Sequence, residues 1–380
     1  MPQGLLVSAN YPPARGGIQN YIYDLYSSLP TGLFHVLTLP RPGGKEFDAA
    51  QNLAVTTATC PGFARKLRHL IMVVTAAGLV ARHNIRYVHC GVVTPDGRVG
   101  YTLKHLTGRP YLVFSYGKDI SPEQKPQRLA LKRKVLLNAE VVVTISRHTK
   151  ELLLRLGIAD DRIEIIPPPV DVDFFTPGLK DSKIANSLGF EGRKIILSVG
   201  RLIERKGFDT MIRALPTVVR AVPEACYAIV GSGAYLRELQ DLAEGLGMRN
   251  HVLFLGDVED VNLPDLYRLC DVFALINRTL PNGDCEGFGI VLLEAQACGR
   301  PVIGGLAGGV PEALVDGVTG SLVDPLSPED AAHAIIRVLT DSALAQRMGE
   351  AGRRRAEAEF SVQTQARRFQ ELINRRFGQA

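Results

Sequence analysis

The strongest constraint on the fold is a rhythm of short apolar runs separated by longer amphipathic stretches. Residues 4–9, 34–39, 87–90, 111–115, 141–145 and 163–166 read as strands. Stretches such as 18–29 and 66–82 between them place apolar residues on one helical face. Alternating strands and helices argue for a parallel sheet, because every parallel crossover needs a covering element. The rhythm breaks at Pro167-Pro168-Pro169 and at Pro177. Proline fixes φ and lacks an N–H, so this segment suits a stiff linker rather than a helix or a strand. Strands then resume at 194–199, 226–230, 252–255, 272–275 and 301–303. The expectation is two Rossmann-like, doubly wound α/β domains in tandem, residues 1–170 and 171–360, followed by a basic helical stretch over 361–380.

A chain of 380 residues can supply both domains with a core of their own. Its net charge of +5 is unevenly spread, since residues 1–175 hold 21 Lys and Arg against 13 Asp and Glu. This half is either a solvated basic face or a surface for an anionic partner such as a membrane. Aromatic residues are 7% of the chain and do not interleave with basic ones, so no nucleic-acid partner is expected. Cys60, Cys90, Cys226, Cys270, Cys285 and Cys298 are scattered without a C-x-x-C pair and read as reduced thiols. The longest apolar run, 70–81, falls short of the roughly 20 residues a bilayer span needs. No leader is read at the start. A cytoplasmic protein, at most peripheral on the inner face of the membrane, is expected.

Glu286 and Glu294 carry the clearest chemistry. They frame Glu286-Gly-Phe-Gly-Ile-Val-Leu-Leu-Glu294, a glycine turn leading into an apolar helix. A helix N-terminus offers unpaired N–H groups and partial positive charge, which suits a phosphate. The two carboxylates can then take hydroxyls on either side of it. Further glycine pairs follow strands, where open α/β sheets bind ligands. These are Gly16-Gly17, Gly200 with Arg201 and Lys206-Gly207, Gly231-Ser232-Gly233, and Gly308-Gly309. Each pair alone could be a tight turn.

Together these residues resemble the retaining glycosyltransferases of the GT-B fold, and within them the bacterial mannosyltransferases acting on phosphatidylinositol mannosides. Three stretches carry the resemblance: Pro12-Pro13-Ala14-Arg15-Gly16-Gly17-Ile18-Gln19, Arg201-Leu202-Ile203-Glu204-Arg205-Lys206-Gly207, and 286–299. The resemblance implies two domains facing a deep cleft, the acceptor in the first and a nucleotide sugar, GDP-mannose favoured, in the second. Arg201 and Lys206 would grip the donor diphosphate, with Gly16 and Gly17 meeting it from the first domain. Glu294 would bind the ribose. Glu286, with Gly287, Phe288, Gly289 and Ile290, would bind the sugar. Gly200, Gly231 and Gly233 would line the donor, and Gly256, Asp257 and Val258 the base. The last helix would cross back to the first domain. The acceptor would be lipid-linked or a glycan.

With cations supplied by side chains, neither a metal nor a cofactor beyond the nucleotide sugar is expected. Asp171-Val172-Asp173 copies a metal-binding D-x-D but stands in the linker. One departure concerns Ser115-Tyr116-Gly117-Lys118-Asp119, where Tyr116 replaces the family's histidine against the sugar. Tyr116 is expected to donate a hydrogen bond there, with His89 as a partial substitute or a structural residue. Arg65, Lys66, Arg68 and His69 read as a helix start or a peripheral membrane contact, with Lys125, Lys132, Arg133 and Lys134 adding basic charge. A UDP-sugar donor, or a sugar-nucleotide epimerase of the same fold, stands as the alternative.

Overall fold

The computed structural model describes residues 3–14, 16–59, 67–120 and 126–378. The chain forms two compact units. The first comprises Met1–Pro169 with Val362–Ala380, and the second comprises Val170–Ser361. Arg15, Cys60, Arg65, Lys66 and Lys125 lie outside the described residues.

The first unit is a seven-stranded parallel sheet. Its strands are β1 (Gly4–Val7), β2 (Phe34–Thr38), β3 (Ala54–Thr57), β4 (Tyr87–Cys90), β5 (Tyr111–Ser115), β6 (Val141–Thr144) and β7 (Ile163–Ile165). They lie in the order β3-β2-β1-β4-β5-β6-β7. Every residue of β1, β2, β4, β5 and β6 is buried. That is why these strands read as mostly apolar runs: helices cover both faces, and the few polar residues in them, among them Thr38, His89, Ser115 and Thr144, are buried as well. β3 differs. It is an edge strand, Ala-Val-Thr-Thr, whose residues are exposed or half-buried, and its sequence carries no strand signal.

The helix Val362–Phe377 completes this unit. Phe369 sets its ring 5.3 Å from Tyr26, Phe377 stacks on Tyr87 at 4.7 Å, and Arg375 reaches Glu164 at 2.7 Å. Phe369, Leu372 and Ile373 are buried, each contributing about 1.5–3 kcal/mol relative to exposure.

The second unit has six parallel strands: β8 (Lys194–Val199), β9 (Ala225–Val230), β10 (Val252–Gly256), β11 (Val272–Leu275), β12 (Val302–Gly305) and β13 (Gly320–Val323). Their order is β10-β9-β8-β11-β12-β13. The chain builds outward from β8 to β10, then returns to the other side of β8 with β11. The crevice beyond the C-terminal ends of β8 and β11 is therefore the switch point where such sheets bind ligands. β13 begins Gly-Ser and is half-buried at two positions, so its sequence reads as a turn. The chain enters and leaves this unit side by side, with Val170 N–H donating to the Phe360 carbonyl at 2.8 Å.

Candidate active site

The switch point of the second unit gathers residues from the loops after β8, β9, β10, β11 and β12. After β8, Gly200-Arg201 leads into a single turn, Glu204–Lys206, closed by Gly207 in the left-handed region (φ 70°). A Cβ on Gly207 would lie 1.8 Å from the Ile276 carbonyl oxygen. Only glycine lets this turn sit on the end of β11, and that seat brings Arg205 and Lys206 beside Asn277.

Glu286 closes the cluster. Its Oε2 receives Lys206 Nζ at 2.5 Å, an Arg205 guanidinium N–H at 2.7 Å and Asn277 Nδ2 at 2.9 Å. Burial alone would raise its pKa. Lys206 and then Arg205 outweigh burial and hold the carboxyl down at about 2. Glu286 is therefore ionised throughout the working range.

Glu294 stands on the helix Ile290–Ala297, which is buried nearly all round. It accepts the Tyr267 hydroxyl at 2.6 Å. Burial pushes its carboxyl up to about 7, helped by Asp260 and opposed by Tyr267 and Lys206. Ahead of this helix, Gly289 takes φ 101°, and Phe288 buries its ring against Phe360. The amides of Phe288, Gly289 and Ile290 find no acceptor among the described residues. They form an open donor run at a helix N-terminus, as the glycine pattern predicts.

Other glycines at the switch point hold the loops to one another. Gly200 N–H donates to the Val230 carbonyl at 3.0 Å, Gly231 N–H to Gly256 at 2.7 Å, and Gly309 N–H to Glu286 at 2.9 Å. Their amides are spent on neighbouring loops and are not free for an anion. A Cβ on Gly233 would lie 2.2 Å from the Leu202 carbonyl, so this glycine too serves loop-on-loop packing. Asp257 accepts from the Ser232 hydroxyl at 2.7 Å, with half-buried Val258 next to it. Arg201 is exposed. Among the described residues it enters no ion pair, whereas Arg205 and Lys206 are both committed to Glu286.

Arg205, Asn277 and Tyr267 carry site geometry that sequence reasoning did not assign. Arg205 stands inside the 201–207 stretch next to Lys206. Asn277 is a fully buried polar residue just after an apolar strand, which is itself a signal.

In the first unit, Gly16 caps the helix Gly17–Ser27 with φ 152° and no side-chain cap. Tyr116 is placed differently from the expected sugar donor. Its hydroxyl donates to the Gly91 carbonyl at 3.0 Å, and its ring stacks on Phe114. Its one hydrogen is spent as a strut between the ends of β4 and β5. Burial holds the phenol protonated, its pKa well above the ordinary value. His89 takes the structural of its two expected roles. It is fully buried among Tyr26, Phe34, Tyr87, Phe369 and Phe377, with Nδ1 2.7 Å from the Tyr26 hydroxyl. Burial lowers its pKa to about 3, so it is a neutral core residue and no substitute for a sugar ligand.

A cavity of about 260 Å³ opens beyond the ends of β1 and β2, lined by Arg68, His69, Asp96 and Arg98 among others. Asp96 is buried there. Its Oδ1 takes the Ala9 N–H at 3.0 Å, and its Oδ2 has no partner. Lys132 of the basic stretch donates to the Asp119 carbonyl at 2.6 Å, and Lys134 lies over the Tyr101 ring. Asp171 accepts the N–H groups of Asp173 and Phe174, so it shapes a turn. Among the described residues no three His, Cys, Asp or Glu side chains converge as a metal site, and no helix is long and apolar enough to cross a membrane. The described cysteines Cys90, Cys226, Cys270, Cys285 and Cys298 are free thiols.

Two parallel Rossmann-like sheets, with hydrogen-bond donors gathered at the switch point of the second, are the frame on which the comparisons bear. The family model described as glycosyl transferases group 1 matches residues 180–355, and that of glycosyltransferase family 4 matches residues 15–174. The GDP-mannose-dependent alpha-(1-6)-phosphatidylinositol monomannoside mannosyltransferase of Mycolicibacterium smegmatis is 34% identical over 98% of each chain. The corresponding enzyme of Corynebacterium glutamicum, named for the monoacylated acceptor, is 30% identical over 97% of each. The crystal structure of Anabaena HepE in complex with UDP shares the fold, with a TM-score of 0.84 over 99% of this chain and 100% of that one at 23% identity. The chain belongs to the group 1 glycosyltransferases of the GT-B fold.

Proposed function

We propose that this glycosyltransferase takes mannose from GDP-mannose and transfers it, with retention and without a metal, to a lipid-linked or glycan acceptor in the synthesis of envelope glycolipid or polysaccharide. The observation that carries the reading is the buried Glu286–Lys206–Arg205 cluster beside an unpaired Arg201, in a chain similar end to end to named GDP-mannose-dependent enzymes.

Breaking the bond between the sugar C1 and the diphosphate oxygen builds negative charge on the leaving group and positive charge on the ring. Arg201, Lys206 and the open amides of Phe288, Gly289 and Ile290 are suited to the first. The guanidinium fork orients the diphosphate and the ammonium neutralises it. These groups supply the charge a divalent ion would otherwise bring. Glu286, kept ionised, would accept sugar hydroxyls, and Glu294 would accept those of the ribose. Asp257 and Val258 would flank the base. No carboxylate is offered as a nucleophile. In a same-face reaction, the acceptor oxygen bonds to C1 as the C1–O bond to phosphate breaks, and the acceptor's proton passes to the leaving diphosphate.

For the acceptor, the cavity with Arg68, Arg98 and the unpartnered Asp96 Oδ2 suits a phosphate beside hydroxyls. The neighbouring helix Arg68–His83 leaves Leu70 and Val74 more than half exposed, which supports a peripheral seat on an anionic membrane surface at the inner face of the cell membrane. The test is transfer from GDP-mannose to vesicles containing phosphatidylinositol monomannoside, with the product's anomeric configuration read by NMR. An α-linked product is expected. A β-linked product would refute retention, and a changed sugar nucleotide without transfer would favour an epimerase.

A further inference from the structure

Glu286 holds three donors on a single oxygen. Oε2 is 2.5 Å from Lys206 Nζ, 2.7 Å from the Arg205 guanidinium and 2.9 Å from Asn277 Nδ2, while Oε1 takes none of them. A carboxylate oxygen has two lone pairs, so three donors exceed what it accepts at full strength. One can leave without stranding the carboxylate. The three differ in freedom to do so. Asn277 is fully buried just beyond β11. Arg205 is buried too; its backbone carbonyl accepts the Arg278 N–H at 2.9 Å, and its Nε lies 3.6 Å from Asp284 Oδ2. Lys206 is about as buried as Arg205, its side chain 11% exposed, but it ends in a compact charge on an unbranched flexible stem that can turn within the site.

We propose that Arg205 is the positioning residue that keeps Glu286 fixed and neutralised while Lys206 turns to the diphosphate of an arriving donor. The inference rests on the donor reading given above. Lys206 has two anionic claimants, Glu286 and the diphosphate. Without Arg205, it would be the only cation on a buried carboxylate. Releasing it would then leave that charge uncompensated, which is costly in a protein interior. The ammonium would stay on Glu286, and the diphosphate would lose a partner. Arg205 thus acts through Lys206 and touches no substrate.

The test is a double-mutant cycle on the full chain, with GDP binding measured by titration calorimetry. The variants are Arg205→Met, Glu286→Gln and the pair. Arg205→Met is expected to weaken GDP binding about tenfold when Glu286 is present and by less than about twofold when residue 286 is Gln, because Lys206 then has no carboxylate to leave. Arg205→Lys, which returns a cation to Oε2, is expected to stay within about threefold of wild type. An equal loss in both backgrounds, or no loss in either, overturns the proposal, because Arg205 would then act on the fold alone or not at all. If Arg205→Met fails to fold, Arg205→Gln carries the same cycle. If the wild type binds UDP instead of GDP, the donor base is wrong and the cycle is run with UDP. A wild type that binds neither nucleotide fails the donor reading itself and takes this inference with it.

Discussion

Glu286 and Glu294 frame one motif, yet their surroundings push their pKa values in opposite directions. Cations hold Glu286 at about 2, whereas burial lifts Glu294 from 4.5 to about 7. The second shift has a consequence for stability. As pH rises from 4.5 towards 7, the unfolded chain loses the Glu294 proton before the folded chain does. Glu294 therefore contributes stability below its unfolded pKa, and that contribution falls through this window and levels off above it. The change is on the order of 1–3 kcal/mol. Glu294→Gln should abolish it, so the variant should gain on wild type in urea midpoint between pH 5 and pH 8, since Asp96 titrates alike in both. Parallel midpoints would show that Glu294 is not held protonated. The glutamate pair and Lys206 were legible because they sit within short motifs. Arg205 and Asn277 were not assigned, since Arg205 meets Glu286 across 81 positions of sequence. Tyr116 was assigned a hydrogen bond to the sugar because sequence shows a residue type at a strand end but not where its hydrogen goes, whereas the structural role weighed for His89 is the one it has.

At the scale of elements, loops press backbone on backbone around the switch point. A Cβ on Gly309 would lie 2.0 Å from the Gly287 carbonyl oxygen, at an ordinary φ of −88°. The obstacle to a side chain is therefore purely steric, and it falls on the turn that presents the open amides. Gly309→Ala should destabilise by about 1–3 kcal/mol, as overpacking does, and should weaken donor binding further by moving the 287–289 backbone. Thermal unfolding and nucleotide titration together check this; an unchanged melting temperature with unchanged affinity would contradict it. The sequence exposed the sandwiched strands because burial on both faces demands mostly apolar runs. It hid β3 and β13, an exposed edge and a strand opening Gly-Ser, where burial imposes no such pattern. Glycine pairs were visible at strand ends, but not that the Gly200, Gly231 and Gly309 amides hold neighbouring loops.

At the scale of the molecule, the proline run at 167–169 ends where the chain passes from one unit to the other. The break in the strand rhythm was thus readable from local chemistry, since prolines cannot extend either sheet. The role of each unit in the reaction rests on the donor. Arg201, Lys206 and the helix amides are all on the second unit, so donor cleavage should proceed slowly to water without any acceptor. The most direct measurement is release of free sugar by the purified chain from GDP-mannose and from UDP-glucose, each in excess EDTA. The account predicts turnover of GDP-mannose, undiminished by EDTA, and little of UDP-glucose. Turnover of UDP-glucose alone, or activity abolished by chelation and restored by magnesium or manganese, would contradict it.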